Sequence, residues 1–160
     1  MIVTREKPDY LYRKGVGIVV LNEENKIFVG KRIDNKSDAW QMPQGGLDYD
    51  EDELSCAFRE LYEETGIKDV ELIKQSSCYY YYNLPYFLQK KFWGGKYLGQ
   101  KQKWFLMKFT GDHGLVSVAT EVPEFSEFKW VTQDELIRSV VRFKRQLYKD
   151  VVGEFGEFLV

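Results

Sequence analysis

Residues 45–67 carry acidic side chains at a spacing that suits metal-dependent chemistry. Glu60, Glu63 and Glu64 fall at i, i+3 and i+4, so they share one face of a predicted helix. Carboxylates this close repel one another, and a positive group must compensate them. Carboxylate oxygens suit a hard cation, Mg2+ or Mn2+, which commonly also binds substrate phosphates. The spacing therefore predicts a metal site, against the alternative of a solvated acidic helix face.

The same segment predicts a loop, a helix and a stop. Asp50 is the expected N-cap, with Glu53 three residues later as in a capping box. Gly66 can adopt the left-handed conformation that ends the helix. One face is apolar and is expected to be buried, at positions i, i+3, i+4 and i+7. Those positions are Leu54, Ala57, Phe58 and Leu61.

The remaining pattern alternates short strands with helices, which predicts an α/β protein with a mixed sheet between helical layers. Strands are expected over residues 16–21, 27–30, 70–73, 77–82, 103–109 and 127–131. Residues 43–46 are expected to form a loop. Thr132 and Glu135 form a second capping box, and a last helix is predicted over residues 139–152. Without a repeat or a linker, residues 1–160 are expected to form one domain.

Composition narrows the class of protein. The chain has 160 residues and a net charge of −2, which disfavours a bulk nucleic-acid binder but allows a protein that grips one end of a nucleic acid. No apolar stretch is long enough to span a membrane. Cys56 and Cys78 match no metal or redox spacing and are expected to be free thiols, which fits the cytoplasm.

The glycines, arginine and glutamates around the acidic helix follow the pattern G-x5-E-x7-R-E-U-x-E-E-x-G-U, where U is apolar. The matching residues are Gly45, Glu51, Arg59, Glu60, Leu61, Glu63, Glu64, Gly66 and Ile67. The chain thereby resembles the Nudix family. The resemblance implies an α/β/α sandwich and a hydrolase that cleaves a diphosphate bond.

The resemblance also implies a set of catalytic and metal-binding residues. Two or more Mg2+ or Mn2+ ions would be held by Glu60, Glu63, Glu64, Glu124 and the Gly45 carbonyl. Arg59 would orient the carboxylates and Glu51 would support the loop. The general base is Glu64 or Glu124, and the sequence does not choose between them.

Further stretches, among them YRKGVGIVV, WQMPQGGLD, YNLP, GQKQKWFL and VVRFKR, are similar to the bacterial RNA pyrophosphohydrolase group. The group removes pyrophosphate from the 5′-triphosphate end of RNA, leaves a monophosphate and initiates mRNA decay. By resemblance, Arg13 contacts phosphates, Arg32 contacts the first nucleotides, and Phe143 stacks on a base. The full substrate-binding set is Arg13, Arg32, Gln44, Tyr82, Lys101, Val141, Phe143 and Lys144.

A stretch rich in lysine and aromatic residues supports an RNA substrate. Its lysines are Lys90, Lys91, Lys96, Lys101 and Lys103, and no acidic residue interrupts them. Basic and aromatic residues in a long loop suit single-stranded nucleic acid, through phosphate attraction and base stacking. Trp104 and Phe105 are instead expected to be core residues of a strand.

Two rival functions remain open. A diadenosine polyphosphate hydrolase would share the metal site and differ in the group bound beyond the phosphates, and both activities can coexist. A catalytically silent Nudix domain that only binds is disfavoured, because all the glutamates of the pattern are present.

Overall fold

A computed structural model of the protein describes residues 7–34 and 38–160. Within them the chain forms an eight-stranded sheet and four α-helices. The strands are β1 (Tyr12–Leu21), β2 (Ile27–Arg32), β3 (Trp40–Gln41), β4 (Gln44–Gly46), β5 (Val70–Gln75), β6 (Tyr80–Asn83), β7 (Gly99–Phe109) and β8 (Phe125–Val131). The helices are α1 (Glu53–Thr65), α2 (Tyr86–Gln89), α3 (Gln133–Ser139) and α4 (Arg145–Phe155).

The sheet is mixed, as predicted. Its main path runs β3-β2-β1-β7-β5, while β4 pairs with β1, β6 with β7, and β8 with β2. The central strands β1 and β7 run parallel along the whole of β1, from Tyr12 opposite Gly99 to Leu21 opposite Lys108. The other pairings are antiparallel. This arrangement brings the starts of β1 and β7 side by side.

Apolar side chains pack on both faces of the sheet. On one face, Ala57 and Leu61 of α1 are buried against residues such as Val16 and Phe105. On the other face, α3 and α4 pack through Leu136 and Tyr148, among others. Trp104 and Phe105 are core residues, as expected, and point to opposite faces. The α/β/α prediction is confirmed.

The acidic helix begins later than its sequence suggested. Asp52 is the N-cap, and its carboxylate accepts a hydrogen bond of 2.8 Å from the backbone N–H of Ser55. The prediction of Asp50 is wrong, because Asp50 adopts a left-handed φ of 63°, whereas an N-cap is extended. Gly66 ends the helix with a φ of 71°, as predicted.

The predicted apolar face of α1 is only partly correct. Ala57 and Leu61 are fully buried, but Phe58 is 38% exposed and Leu54 is half-buried. Cys56 is buried in place of Phe58. Both cysteines are free thiols, as expected.

Two boundaries of secondary-structure elements, both next to the cleft described below, also differ from expectation. Residues 44–46, expected as loop, form β4 and pair with β1, with Gly45 opposite Val16. The predicted helix over residues 139–152 is interrupted, because Val140 and Val141 are extended with ψ of 151° and 142°. A short 3-10 turn over Arg142–Lys144 follows, and α4 starts only at Arg145.

No helix in the described ranges is long and apolar enough to cross a membrane.

Candidate active site

A cleft of about 960 Å³ opens where β1, β4 and β7 meet the turn before α4. Most of the predicted site residues line it, contributed by segments far apart in the sequence. They are Arg13, Arg32, Gln44, Gly45, Glu60, Glu64, Tyr82, Glu124, Val141, Phe143 and Lys144. Glu51, Arg59, Glu63 and Lys101 do not line it.

Arg59 ties the loop before α1 to the helix. Its guanidinium donates two hydrogen bonds to the Glu51 carboxylate, at 2.7 and 2.9 Å, and one of 3.1 Å to the Gly46 carbonyl. Its Nη1 also donates to Glu60 at 3.0 Å and Glu63 at 3.1 Å. The hydrogen bonds from Arg59 lower the pKa of Glu51 to about 2. One arginine thus neutralises part of the acidic cluster and fixes its geometry.

Glu60 lies directly over Gly45 of β4. A Cβ added to Gly45 would be 2.0 Å from the Glu60 carboxyl carbon, so a residue larger than glycine would displace the carboxylate. Burial raises the pKa of Glu60 to about 7, with Arg59 opposing the shift and Glu63 and Glu124 adding to it. The close approach explains why this position needs a glycine.

Glu64 is a carboxylate whose ionised form is disfavoured by its surroundings. It is only 5% exposed, and its Oε2 is buried without a hydrogen-bond partner among the described residues. Burial raises its pKa well above the usual range, and the charges of Glu60 and Glu124 raise it further. A buried charge without a partner is costly, so this wall of the cleft is electrostatically incomplete.

Glu124 belongs to the same cluster but comes from a distant part of the sequence. It precedes β8, and its backbone carbonyl accepts a 3.0 Å hydrogen bond from the Ile33 N–H. Its carboxylate lies 3.6 Å from the Arg32 guanidinium. The charge of Glu124 acts on both Glu60 and Glu64.

We define the acidic wall as Glu60, Glu64 and Glu124. Its donor chemistry fits a divalent cation, although the carboxylates do not form a finished cage. No group of three or more acidic, histidine or cysteine side chains within residues 7–34 and 38–160 converges as a metal site. Glu60 and Glu63 are instead held by Arg59. The unpartnered Glu64 oxygen and the raised carboxyl pKa values are what a hard, oxygen-liganded cation would compensate.

The facing wall is built around a buried lysine. Lys144 is 4% exposed, and its Nζ donates to the side-chain oxygens of Gln41 at 3.2 Å and Gln44 at 3.1 Å. Burial lowers the pKa of Lys144 to about 7, and the Arg32 charge lowers it further. The ammonium also lies 5.1 Å from the centre of the Tyr82 ring.

Two further amides support this wall, Gln100 in the cleft lining and Gln102 outside it. Gln102 donates from Nε2 to Gln100 at 2.8 Å and to Gln44 at 3.3 Å, and its Oε1 accepts from the Trp104 indole N–H at 3.1 Å. The Tyr82 hydroxyl donates to Gln100 at 3.3 Å. We define the amide wall as Gln41, Gln44, Gln100, Gln102 and Lys144.

Sequence reasoning missed Gln41, Gln100 and Gln102. The available signal was the alternation of Gln100, Gln102 and Trp104, which places all three on one face of a strand. The predicted strand began at residue 103, however, whereas β7 begins at Gly99. Because the predicted strand began four residues too late, the alternation of Gln100, Gln102 and Trp104 was not recognised.

The two predicted arginines have different surroundings. Arg32 donates two hydrogen bonds to Asp34, at 2.7 and 2.6 Å. The Arg13 guanidinium lies against β4, where a Cβ added to Gly46 would be 2.0 Å from its Nη1. The Trp93 ring centre is 5.4 Å from the guanidinium carbon of Arg13, within cation–π range. Trp93, which was not predicted as a site residue, holds a left-handed φ of 51°.

Aromatic and apolar side chains form the outer part of the cleft. Phe143 packs in a tilted arrangement against Tyr82, with ring centres 6.1 Å apart. Val141, in the extended segment before the 3-10 turn, also lines the cleft. These surfaces can accept a planar group, as the sequence predicted for Phe143.

Lys101 lies outside the cleft. It is buried, forms an ion pair of 3.2 Å with Asp9 and lies 4.6 Å from the Tyr79 ring centre. Lys101 belongs to β7, not to a long loop as expected, whereas Lys103 lies in β7 as the predicted strand over 103–109 requires. Because side chains alternate along a strand, Lys101 faces away from Gln100 and Gln102.

The sequence profile of the NUDIX domain matches residues 11–151. The chain therefore belongs to the Nudix family, the class that its fold and acidic helix indicated. It is 53% identical over 147 residues to an RNA pyrophosphohydrolase of Pelagibacter ubique, covering 92% of this chain and 93% of that protein. It is 48% identical over 151 residues to an RNA pyrophosphohydrolase of Rickettsia typhi, covering 94% of each.

Solved structures agree on the fold. The E. coli dihydroneopterin triphosphate pyrophosphohydrolase superposes with a TM-score of 0.70 at 18% identity, covering 89% of this chain and 97% of the other. A C. elegans Ap4A hydrolase in a binary complex gives a TM-score of 0.61 at 19% identity, covering 89% and 98%. Nudix hydrolases generally use divalent metal ions, which agrees with the incomplete acidic wall.

Proposed function

We propose that the protein is an RNA pyrophosphohydrolase that removes pyrophosphate from the 5′-triphosphate end of RNA. The observation that carries this proposal is the cleft itself, in which an incomplete acidic wall faces cationic Arg13, Arg32 and Lys144. A triphosphate needs cationic groups around it, and its hydrolysis needs an acidic metal site beside it. The curated relatives named RNA pyrophosphohydrolase support the same substrate.

The residues that would hold Mg2+, or Mn2+ in its place, are Glu60, Glu63, Glu64, Glu124 and the Gly45 carbonyl, with more than one ion per site. Such ions supply charge neutralisation for phosphate oxygens and a more acidic bound water. Arg59 and Glu51 keep the loop and helix in position for these ligands.

The chain's own residues carry the remaining steps. Glu64 or Glu124 accepts the proton of the attacking water, since both carboxylates line the cleft. The water oxygen bonds to phosphorus as the bond to the leaving pyrophosphate breaks, which leaves a 5′-monophosphate. Arg13, whose guanidinium lies close to Gly46 and Trp93, offsets the charge of the phosphates.

The first nucleotides lie along the outer part of the cleft. Arg32, fixed by Asp34, presents a planar guanidinium for base or sugar contact. Phe143 stacks on a base beside Val141, and Tyr82 and Gln44 support Lys144 below it. Residues 1–160 act as one Nudix domain in the cytoplasm, where such RNA ends arise and where the two free thiols are stable.

The deciding experiment is a competition assay in Mg2+. The purified protein receives a 5′-triphosphorylated RNA and diadenosine pentaphosphate, and kcat/KM is compared for each. We expect a clear preference for RNA with release of pyrophosphate. A preference for the dinucleotide would replace the proposal with a dinucleoside polyphosphate hydrolase, and turnover of neither would favour a binding module.

A further inference from the structure

The rim of the cleft exposes two adjacent aromatic side chains that no step above uses. Tyr86 is 73% exposed and Phe87 is 68% exposed, both on the single turn of α2. Phe87 is at the same time part of the cleft lining. Large aromatic side chains exposed to this degree at the mouth of a site commonly mark a binding surface.

The turn that carries them is firmly anchored. Leu88 packs against the core, and its N–H donates to the Pro85 carbonyl at 2.9 Å. The Gln89 side-chain amide donates to the Leu84 carbonyl at 3.0 Å. With the backbone fixed in this way, Tyr86 and Phe87 project from a preorganised support, which reduces the entropic cost of binding.

The charge around these rings selects the kind of partner. Lys90 lies one turn after Tyr86, with its Nζ 5.4 Å from the ring centre. Residues 84–98 include Lys90, Lys91 and Lys96 and no acidic residue. Aromatic faces beside lysines attract an anionic chain with planar groups, which describes single-stranded nucleic acid.

We propose that Tyr86, Phe87 and Lys90 form a downstream subsite, on which the nucleotides that follow the 5′ end stack as the RNA strand leaves the cleft. This proposal rests on the proposed function, because it takes the strand to start inside the cleft. It adds a length requirement, since a substrate of two nucleotides ends before the subsite and a longer single strand reaches it.

The test uses two triphosphorylated RNAs, a dinucleotide and an unstructured octamer, with the full chain in Mg2+. The wild-type protein should hydrolyse the octamer with the higher kcat/KM. Phe87→Ala should lower the ratio of octamer to dinucleotide kcat/KM roughly tenfold, since one aromatic stack contributes about that much to binding. The loss should lie in KM, because stacking remote from phosphorus stabilises ground and transition states alike.

Two further variants sharpen the result. Phe87→Trp should restore the octamer preference, because stacking does not require a particular ring. Lys90→Gln should weaken the salt dependence of octamer binding, with a change of roughly 0.7 in the slope of log K against log salt. Tyr62→Ala is the matched control, because Tyr62 is 55% exposed and lines a different, smaller pocket.

The outcomes separate this proposal from the proposed function. An equal loss on both RNAs, or no loss on either, would overturn the downstream subsite while leaving the pyrophosphohydrolase intact. A wild-type protein that hydrolyses neither RNA would instead remove the proposed function. A selective loss on the octamer, rescued by tryptophan, would support both.

Discussion

The two walls of the cleft differ in how completely their polar groups are satisfied. On the acidic wall, the Glu64 Oε2 has no hydrogen-bond partner among the described residues, and the pKa values of Glu60 and Glu64 are raised. On the amide wall, the Lys144 ammonium and the Gln102 amide each find partners inside the protein. Glu64 and Lys144 are both buried, so burial alone does not explain the difference.

The difference indicates that the acidic wall receives the charge of a bound cation and that the amide wall supports the shape of the cleft. A buried polar network that satisfies itself is rigid and specifies one arrangement of side chains. Buried carboxylates whose charges are not compensated lower the stability of the folded protein until a cation binds. We therefore expect changes on the acidic wall to affect turnover and cation response, and changes at Gln102, which does not line the cleft, to affect folding stability.

The largest expected effect is on turnover, from Glu64→Gln. The variant keeps the size of the side chain but removes the charge and the proton acceptor. We expect kcat to fall by roughly 10³-fold, within the range for loss of a general base. Steady-state hydrolysis of triphosphorylated RNA measures this, with Glu71→Gln on the exposed strand β5 as the control. Near-normal turnover would remove Glu64 from the mechanism and leave Glu124 as the base.

The second effect is a pH-dependent response to cations. Because the folded pKa of Glu60 is raised from 4.5 to about 7, the cation-free protein loses stability as pH rises across that interval. The pKa of Glu64 is also raised, so Glu64 adds to this loss of stability. The pKa of Lys144 is lowered to about 7, so Lys144 changes the stability only above that pH, where it stabilises the folded protein as pH rises. A bound cation requires ionised carboxylates.

Thermal unfolding with and without Mg2+ measures this response. At a concentration of about 100 times Kd, Mg2+ should add about 2.7 kcal/mol to the free energy of unfolding at pH 7.5, and clearly less at pH 5. Stabilisation of equal size at both pH values would mean that the ion binds away from these carboxylates.

The smallest effect is expected from Gln102→Leu on the amide wall. The change leaves the Trp104 indole N–H buried without its acceptor and removes the donor to Gln100. Such orphaned groups cost about 1–3 kcal/mol in the free energy of unfolding. Chemical denaturation measures it against Gln146→Leu, which changes an exposed glutamine on α4. Equal stability of the two variants would show that the amide wall is not a stabilising network.

Local spacing made the acidic wall predictable from the sequence. Glu60, Glu63 and Glu64 lie on one helix, and Glu51 and Gly45 precede it at fixed offsets, so one motif brings them together. The N-cap was misplaced by two residues, because Asp50 and Asp52 are the same residue type and only the left-handed backbone of Asp50 separates them.

The amide wall was not predictable to the same degree. Lys144, Gln44 and Gln102 come from distant parts of the chain, and no sequence spacing relates them. The expected helix over 139–152 also placed Lys144 within a helix rather than in a buried turn. Adjacent β-branched Val140 and Val141, which have low helix propensity, were the local sign of the interruption.

The parallel pairing of β1 with β7 also has a consequence for how fast the protein folds. The two strands join the beginning of the chain to its second half, with Arg13 opposite Gln100. Contacts between residues so distant in sequence slow folding, because a long loop must close before they form. During synthesis, β1 therefore cannot form this pairing until β7 has left the ribosome. The nascent chain stays without a cleft until most of it has been translated.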